Sequence, residues 1–257
     1  MWSGMIGRIL TEEPARGAIK NEDPEREPHG ETRKVKRGKH GSVYDVCEIV
    51  SPPQISRVAS RQGLRAGWSL DLSIECPITG RKWDCRSVED RAWARKMVWR
   101  DKPKLLIVCP PCTLFSQLQH LSPNGLPPVR CPELWAEAMM MLEFSIEMCQ
   151  IERKAGRGFV FDHPRTATSW EVDAVKRLAQ EAGVYTSVFY MCRFGKTAED
   201  SEGAGPVRKR TQILTNVEAI AEVLSVRCEG GAWACASNIW KGESGTDIPG
   251  EDLRGNH

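Results

Sequence analysis

The chain has 257 residues and a formal net charge of +2, and its shares of hydrophobic residues (40%) and charged residues (27%) are those of an ordinary globular protein. No segment approaches the ~18 consecutive apolar residues of a membrane span, which excludes a membrane partner. The N-terminal segment MWSGMIGRIL lacks the pattern of a secretory signal and the ten cysteines lack regular spacing, so we expect an intracellular protein, cytoplasmic or nuclear, with reduced thiols.

Composition predicts three parts. Residues 1–42 are polar and rich in Pro, Gly and charge, which predicts a disordered arm. This arm contains the basic run ETRKVKRGKH at Glu31–His40, for which a solvated segment and a phosphate-binding segment are the two interpretations. Residues 43–226 are predicted to fold as one domain, and residues 227–257 to form a Gly-rich tail.

Strand and helix patterns alternate along the folded part. The predicted strands are Val43–Val50, Trp68–Leu72, Trp83–Cys85, Lys104–Cys109, Gly158–Phe161, Val184–Met191 and Arg210–Thr215. The predicted helices are Gln54–Gln62, Val88–Val98, a long helix opening at Cys131-Pro132-Glu133 and ending near Gly156, Ser169–Ala182 and Val217–Leu224. This alternation predicts an α/β fold with a mainly parallel sheet covered on both faces. The last two strands have no long helix between them, so we expect them to pair as an antiparallel edge.

Chemically reactive side chains follow the predicted strands. Cys109, Cys112, Asp162 and His163 all fall at the carboxyl ends of strands, where ligands bind in open α/β sheets. The string CPPC is also compatible with a redox dithiol or with half of a zinc site. A buried strand followed by two prolines does not fit a redox dithiol, and no second cysteine pair is suitably spaced for a zinc site. Cys109 ends the strand and is expected to be buried, whereas Cys112 lies in the loop, where a thiol can be activated.

The segment Pro110–Ser116, which reads PPCTLFS, resembles the catalytic loop of cytosine-5 DNA methyltransferases, whose pattern is PPCQxFS after a buried strand. Thr113 replaces the usual glutamine. The resemblance implies a Rossmann-like, S-adenosylmethionine-dependent methyltransferase fold, so that residues 43–226 would be the catalytic domain. It also implies that Cys112 attacks carbon 6 of cytosine, after which carbon 5 accepts the methyl group of S-adenosylmethionine.

Two further segments follow in the order of that family. Asp162, in the string FDHP, stands where the family's ENV motif has the glutamate that holds the edge of the cytosine. Arg208 and Arg210, in PVRKR, keep the RxR of the family's QxRxR motif and imply contacts to the base or to the adduct. A solvated surface is the alternative interpretation of this basic run.

The predicted contacts to the cofactor are acidic residues that lie in or after successive predicted strands, as the resemblance implies. Asp45 and Glu48 stand in the first strand, where the family has an acidic motif, but Ser51-Pro52-Pro53 replaces the family's glycine-rich turn. Asp71 follows the second strand, where a carboxylate normally binds ribose hydroxyls. Asp84 is placed where an acid would meet the adenine amino group. Pro110, at the start of the catalytic loop, completes the predicted cofactor contacts, and caps or turns are the alternative roles of the acids.

Few residues follow Asn216, whereas enzymes of the family carry a large target-recognition region after the RxR motif. We therefore expect a minimal enzyme acting on nucleic acid, with DNA rather than RNA as the expected substrate, or one that uses a protein partner for target recognition. Two alternatives remain open. One is a methyltransferase acting on amino groups, although CPPC lacks the polar first residue and the aromatic fourth residue of that loop. The other is a catalytically inactive methyltransferase-like domain that binds nucleic acid or a protein.

Overall fold

The computed structural model describes residues 41–76, 79–116, 131–200, 203–207 and 209–228. Residues 1–40 of the predicted arm, nearly all of the predicted tail and the candidate site residue Arg208 lie outside this part of the chain. The predictions made for them are therefore neither confirmed nor contradicted.

Eight strands form two sheets in the described residues. The strands are β1 (Val46–Ile49), β2 (Ala66–Leu70), β3 (Leu105–Val108), β4 (Gly158–Pro164), β5 (Tyr185–Tyr190), β6 (Thr197–Asp200), β7 (Gly203–Pro206) and β8 (Arg210–Thr215). Six of them make the main sheet in the order β2-β1-β3-β4-β8-β5, and β6 pairs with β7 in a small hairpin. The neighbours from β2 to β4 pair in parallel, whereas β8 is antiparallel to both β4 and β5. The predicted mostly parallel sheet with an antiparallel edge is thus confirmed.

Five helices accompany these strands: α1 (Gln54–Arg61), α2 (Val88–Asp101), α3 (Pro132–Lys154), α4 (Asp173–Gln180) and α5 (Glu218–Val223). Helix α2 begins where the Ser87 hydroxyl accepts a hydrogen bond from the Asp90 amide, and two acids occupy its first turn. Helix α3 begins with Pro132, whose fixed φ suits the first turn of a helix. Among the described residues, none of the helices is both long and apolar enough to cross a membrane.

The central strands are buried on both faces, as their continuous apolar sequences predict. One face carries Ile49, Val108 and Phe161, which pack with Leu142 of α3. The other face carries residues of opposite parity, such as Ile107, which pack against α1 and α5. The strand period of two separates these two cores, and it also decides which polar side chains can meet at the ends of the strands.

Two predicted elements differ from the structure. The strand predicted at Trp83–Cys85 is wrong, because this segment is a loop whose Trp83 ring is buried. Its backbone hydrogen bonds, including those from the Trp83 amide to the Asp71 carbonyl and from the Asp84 amide to the Asp90 carboxylate, belong to no strand pairing. The helix predicted at Ser169–Ala182 is split into a short 3-10 turn, Thr168–Glu171, and α4. The β6–β7 hairpin was not predicted, since TAED and GAGP have no alternation of apolar and polar residues.

The order of the strands places a crevice between β1 and β3. From β1 the chain passes through α1 to β2 on one side, and it then crosses to β3 on the other side of β1. Ligands of open α/β sheets bind where such a reversal occurs, beyond the carboxyl ends of the strands. At this point the Cys109 amide donates a hydrogen bond to the Ile49 carbonyl (3.3 Å). The loop that carries Cys112 therefore leaves the sheet at its reversal point.

Candidate active site

The loop after β3 brings Cys112 to the carboxyl edge of the sheet. Pro110 is buried and Pro111 is exposed, so the chain turns outward between them. Cys112 has φ −94° and ψ −3°, in the sparsely populated bridge region where active-site residues recur. Its carbonyl accepts a hydrogen bond from the Phe115 amide (3.0 Å), which closes a short 3-10 turn. The Cys112 side chain is left half-buried at the end of the strand.

Phe115 anchors this loop. Its ring is buried and lies edge-on to Trp135 of α3 and to His163 of β4, with centroid distances of 5.6 Å and 5.8 Å. The Thr168 hydroxyl also donates a hydrogen bond to the Phe115 carbonyl (3.4 Å). The conformation of the Cys112 loop is therefore set by side chains from three separate elements.

Asp162 lies at the end of β4, the neighbour of β3. Its Oδ2 accepts a hydrogen bond from the Cys109 thiol (3.9 Å), whereas its buried Oδ1 has no hydrogen-bond partner among the described residues. Burial raises the pKa of Asp162 to about 6, and the charge of Lys209 and the Cys109 thiol lower it by less. A carboxyl group with such a pKa can give or take a proton close to neutrality.

Lys209 supplies the positive charge of this site. Burial raises the pKa of the Cys112 thiol, the charge of Lys209 lowers it, and the charge of Asp162 raises it. Sequence reasoning missed Lys209, because the resemblance pointed to the arginines on either side of it. The alternation of side chains along a strand would have indicated it, because Lys209, directly before β8, faces the side opposite to Arg210.

The two arginines of the predicted RxR motif have different outcomes. Arg208 lies outside the described residues, and Arg210 is the exposed first residue of β8, where it pairs with Tyr190. The Arg210 carbonyl accepts a hydrogen bond from the Arg165 amide (3.1 Å). The structure thus places Arg210 at the same edge of the sheet as Cys112 and Asp162 without a described contact to either.

His163 is the buried neighbour of Asp162 and points to the opposite face of the sheet. Its Nδ1 is hydrogen-bonded to the Ser169 hydroxyl, and its Nε2 has no partner among the described residues. Burial lowers the pKa of His163 to about 4, although the carbonyls of Pro110 and Pro111 raise it in part. The ring is therefore neutral at physiological pH and lies beneath the start of the Cys112 loop.

Glu48, in β1, is fully buried, and its carboxylate is occupied by protein donors. Oε1 accepts hydrogen bonds from the amide (2.7 Å) and the hydroxyl (2.6 Å) of Ser56, and Oε2 accepts one from the Ser51 hydroxyl (2.9 Å). Burial raises the pKa of Glu48, and the Ser56 and Ser51 hydrogen bonds lower it. The carboxylate joins β1 to the first turn of α1, where negative charge is favourable.

Asp45 lies at the other end of β1. Its carboxylate is bound by Arg65, with two oxygen–nitrogen distances of 2.9 Å, and by the ammonium group of Lys104 at 2.8 Å. Burial raises the pKa of Asp45, but these cations dominate and hold it well below its usual range. The structure does not bring Asp45 together with the other candidate residues, because it stands at the amino edge of the sheet.

Asp71 and Asp84 lie together beyond the carboxyl end of β2, where both of their charges raise the pKa of the Cys85 thiol after the larger effect of burial. Asp84 is held by Arg86 in a two-bonded pair with distances of 2.9 Å and 2.8 Å. Asp71 accepts a hydrogen bond from the Ser73 amide (2.8 Å) through Oδ1. No described residue bonds Oδ2 of Asp71, so this oxygen is the one open to a ligand.

The turn between β1 and α1 contains no glycine but adopts a conformation that glycine favours. Val50 has φ +53°, which is unusual for a β-branched residue, and its amide donates a hydrogen bond to the Leu70 carbonyl (2.8 Å). Residues in such conformations concentrate at functional sites. Val50 lies between Asp71, which follows β2, and the Cys112 loop, which follows β3.

The chain matches no model of a known protein family, and no curated protein sequence is significantly similar to it. Within the part of the chain that the structure describes, no three His, Cys, Asp or Glu side chains converge into a group that could hold a metal ion. The groups at this edge of the sheet that can take part in chemistry are the Cys112 thiol, the Asp162 carboxyl group and the charge of Lys209.

Proposed function

We propose that the protein transfers a methyl group from S-adenosylmethionine to carbon 5 of cytosine in nucleic acid, with DNA as the expected substrate. One observation carries the proposal. The loop thiol of Cys112 lies within the electrostatic influence of Asp162, a carboxyl group that has one buried oxygen without a described partner and whose pKa burial raises to about 6. The order of these residues along the chain is that of the cytosine-5 methyltransferases that the sequence resembles.

Each residue has a defined chemical task. The Cys112 thiolate forms a bond to carbon 6 of the ring while the proton of the Asp162 carboxyl passes to ring nitrogen 3, and the displaced electron pair makes carbon 5 nucleophilic. After carbon 5 is methylated, it loses its proton to a base, the bond between sulfur and carbon 6 breaks, and nitrogen 3 returns its proton to Asp162. A cytosine within a duplex has to leave the base stack to reach these groups.

Lys209 assists by its charge. It lowers the pKa of Cys112, which burial raises, and so favours the thiolate that the reaction requires. It also lowers the pKa of Asp162. A phosphate or base carbonyl at this edge would meet the same positive charge.

The residues at the end of β2 fit the cofactor through Asp71. Its open Oδ2 is a suitable acceptor for ribose hydroxyls, whereas Asp45, Glu48 and Asp84 are already bound by protein donors. S-adenosylmethionine would supply an electrophilic methyl group, which is what an activated carbon 5 accepts. A protein partner that provides target recognition belongs to the same proposal.

The second candidate is a catalytically inactive domain of the same architecture that binds nucleic acid or a protein. The carboxylate of Glu48 favours this candidate, because it already occupies the Ser56 amide in the first turn of α1. The raised pKa of Cys112 also favours it, since a thiol is a weaker nucleophile than a thiolate.

Covalent trapping tests the proposal. DNA containing 5-fluorodeoxycytidine should form a stable adduct with the wild-type chain in the presence of S-adenosylmethionine. Carbon 5 then carries fluorine in place of the proton that a base must remove before the bond between sulfur and carbon 6 can break. We expect Cys112→Ala to lose both the adduct and methyl transfer to ordinary DNA while keeping calorimetric binding of S-adenosylmethionine. Cys131→Ala, which removes another half-buried thiol, is the control and should keep all three.

Two results would contradict the proposal. Normal methylation by Cys112→Ala would exclude this nucleophile. A folded wild-type chain that binds no S-adenosylmethionine would leave the second candidate.

A further inference from the structure

Three buried polar atoms have no hydrogen-bond partner among the described residues, and all three lie on β4 and β8. They are Asp162 Oδ1, His163 Nε2 and Thr211 Oγ1. Thr211 is 1% exposed, although it is the second residue of β8 and lies close to the edge of the sheet. Buried hydroxyls are nearly always hydrogen-bonded in native proteins, so an unpartnered one calls for a ligand or an ordered water.

The register of β4 and β8 places two of these atoms on one face. Thr211 lies opposite Pro164, and Asp162 lies opposite Ile213. Because opposed residues share a face and faces alternate along a strand, Asp162 and Thr211 point to the same side as Ile213, whereas His163 points to the other side. Diagonal neighbours of this kind are ~7–8 Å apart, so one small planar group can bind both side chains.

Thr215, on the same strand and the same face, shows that β8 does not lack partners for hydroxyl groups. It is fully buried, its hydroxyl donates to the Phe159 carbonyl (2.6 Å), and the Val217 amide donates to it (3.1 Å). The unpartnered hydroxyl is thus confined to the end of the strand that adjoins Asp162 and Lys209.

We propose that Thr211 is a base-binding residue whose hydroxyl, together with Asp162 Oδ1, holds the polar edge of a pyrimidine that has left the nucleic-acid stack. A pyrimidine edge carries a ring nitrogen between two exocyclic groups. Asp162 pairs with the ring nitrogen, and the hydroxyl, which both donates and accepts, pairs with an adjacent exocyclic group. The inference rests on the proposed function, because Cys112 would meet the same base.

Binding without S-adenosylmethionine tests the inference independently of catalysis. The probes are a fluorescent oligodeoxyadenosine strand with a single central deoxycytidine and the same strand with an abasic position there. The wild-type chain should prefer the deoxycytidine strand. Thr211→Val should reduce this preference ~3- to 10-fold, which is the effect of one lost hydrogen bond, and Thr211→Ser should restore it.

Thr215→Val is the matched control. It should lower the resistance to urea because it removes satisfied hydrogen bonds, and it should leave the base preference unchanged. Thr211→Val should unfold at the same or a higher urea concentration, since the Thr211 hydroxyl has no hydrogen-bond partner in the part of the chain that the structure describes.

The outcomes separate the two proposals. A Thr211→Val variant with the wild-type preference, or one that is destabilised while the preference persists, would show that an internal water satisfies the hydroxyl and would overturn the inference. A wild-type chain that shows no preference for deoxycytidine would also overturn it. A preference that depends on Thr211 without any methyl transfer would contradict the proposed function and leave the inference standing.

Discussion

Glu48 and Asp162 are both buried carboxyl groups on one face of the sheet. Burial raises the pKa of the Cys109 thiol, and the charges of both carboxyl groups raise it further. Glu48 is saturated by three hydrogen bonds from two serines, so its oxygens serve the fold. Asp162 accepts one weak hydrogen bond from a thiol, and its Oδ1 has no hydrogen-bond partner among the described residues. A buried carboxyl group on this face of the sheet is thus structural where protein donors surround it, as at Glu48. It is available for chemistry where few donors reach it, as at Asp162.

Asp162→Asn gives the largest expected effect. The amide keeps the shape of the side chain but cannot pass a proton to the ring, so we expect methyl transfer to fall ~10²- to 10⁴-fold, the usual contribution of a positioned acid. The initial rate at saturating S-adenosylmethionine measures this loss. Unfolding in urea should show a variant at least as stable as the wild type, because an ionised carboxyl group is no longer buried. Undiminished transfer would remove Asp162 from the mechanism.

Glu48→Ala should reduce stability, whereas Asp162→Asn should reduce methyl transfer. Removing this carboxylate leaves the buried amide and hydroxyl of Ser56 without an acceptor and leaves the Ser51 hydroxyl with only the Pro52 carbonyl (3.2 Å), so we expect a loss of about 3 kcal/mol in the free energy of unfolding. Urea titration measures the loss. Glu171→Ala is the control, because Glu171 pairs with Lys176 at an exposed site and should leave stability essentially unchanged. A stable Glu48→Ala variant with impaired cofactor binding would make Glu48 a ligand-binding residue instead.

The pH dependence of stability sharpens the comparison. The pKa of Asp162 is raised to about 6 from an unfolded value near 3.8, so its contribution to stability is full below pH ~4 and is lost as the pH rises through 6. The pKa of His163 is lowered to about 4 from 6.5, so its contribution is lost as the pH falls over nearly the same range. The two slopes oppose each other in the wild-type chain, each amounting to roughly 3 kcal/mol.

Asp162→Asn should therefore unmask the slope of His163. Between pH 4 and pH 6.5 its free energy of unfolding should rise relative to that of the wild type by roughly 3 kcal/mol, because the other titrating groups, such as Glu48 and Glu152 with their raised pKa values, are common to both chains. Urea titrations across this range, with Thr215→Val as a variant that titrates like the wild type, provide the measurement. Parallel curves for Asp162→Asn and the wild type would mean that the pKa of Asp162 is not raised.

The sequence predicted the sheet well because buried strands such as LLIV and FVF leave continuous apolar runs whose positions packing alone decides. It also predicted that Cys112 and Asp162 lie at the carboxyl edge of the sheet, because both come soon after such runs; their catalytic roles stay predictions. It misplaced Trp83–Cys85, where a buried tryptophan packs in a loop, and it missed the hairpin at residues 197–206, whose pairing depends on backbone bonds and not on an apolar pattern.

The sequence did not distinguish satisfied acids from open ones. Asp45, Glu48, Asp71 and Asp84 follow one another in strand order, but only the tertiary structure brings Arg65 and Lys104 to Asp45. The partners of Glu48 and Asp84 include the nearby residues Ser51 and Arg86, but the sequence does not show that their side chains turn back to the acids. Lys209 and Thr211 were missed for a related reason. Their relation to Asp162 depends on the register of β8 against β4, which pairs residues about fifty positions apart.

Asp71 extends the comparison to the cofactor side and carries the smallest effect. Its open Oδ2 should accept the ribose hydroxyls, so Asp71→Ala should raise the Kd for S-adenosylmethionine about tenfold, the cost of a hydrogen bond to a charged group. Asp84→Ala should change the Kd far less, because Arg86 already occupies that carboxylate. Calorimetric titration of both variants measures the difference. Equal losses would mean that Arg86 releases Asp84 to the adenine amino group when the cofactor binds. In that case, hydrogen bonds to protein donors in the free chain would not distinguish structural acids from acids that bind a ligand.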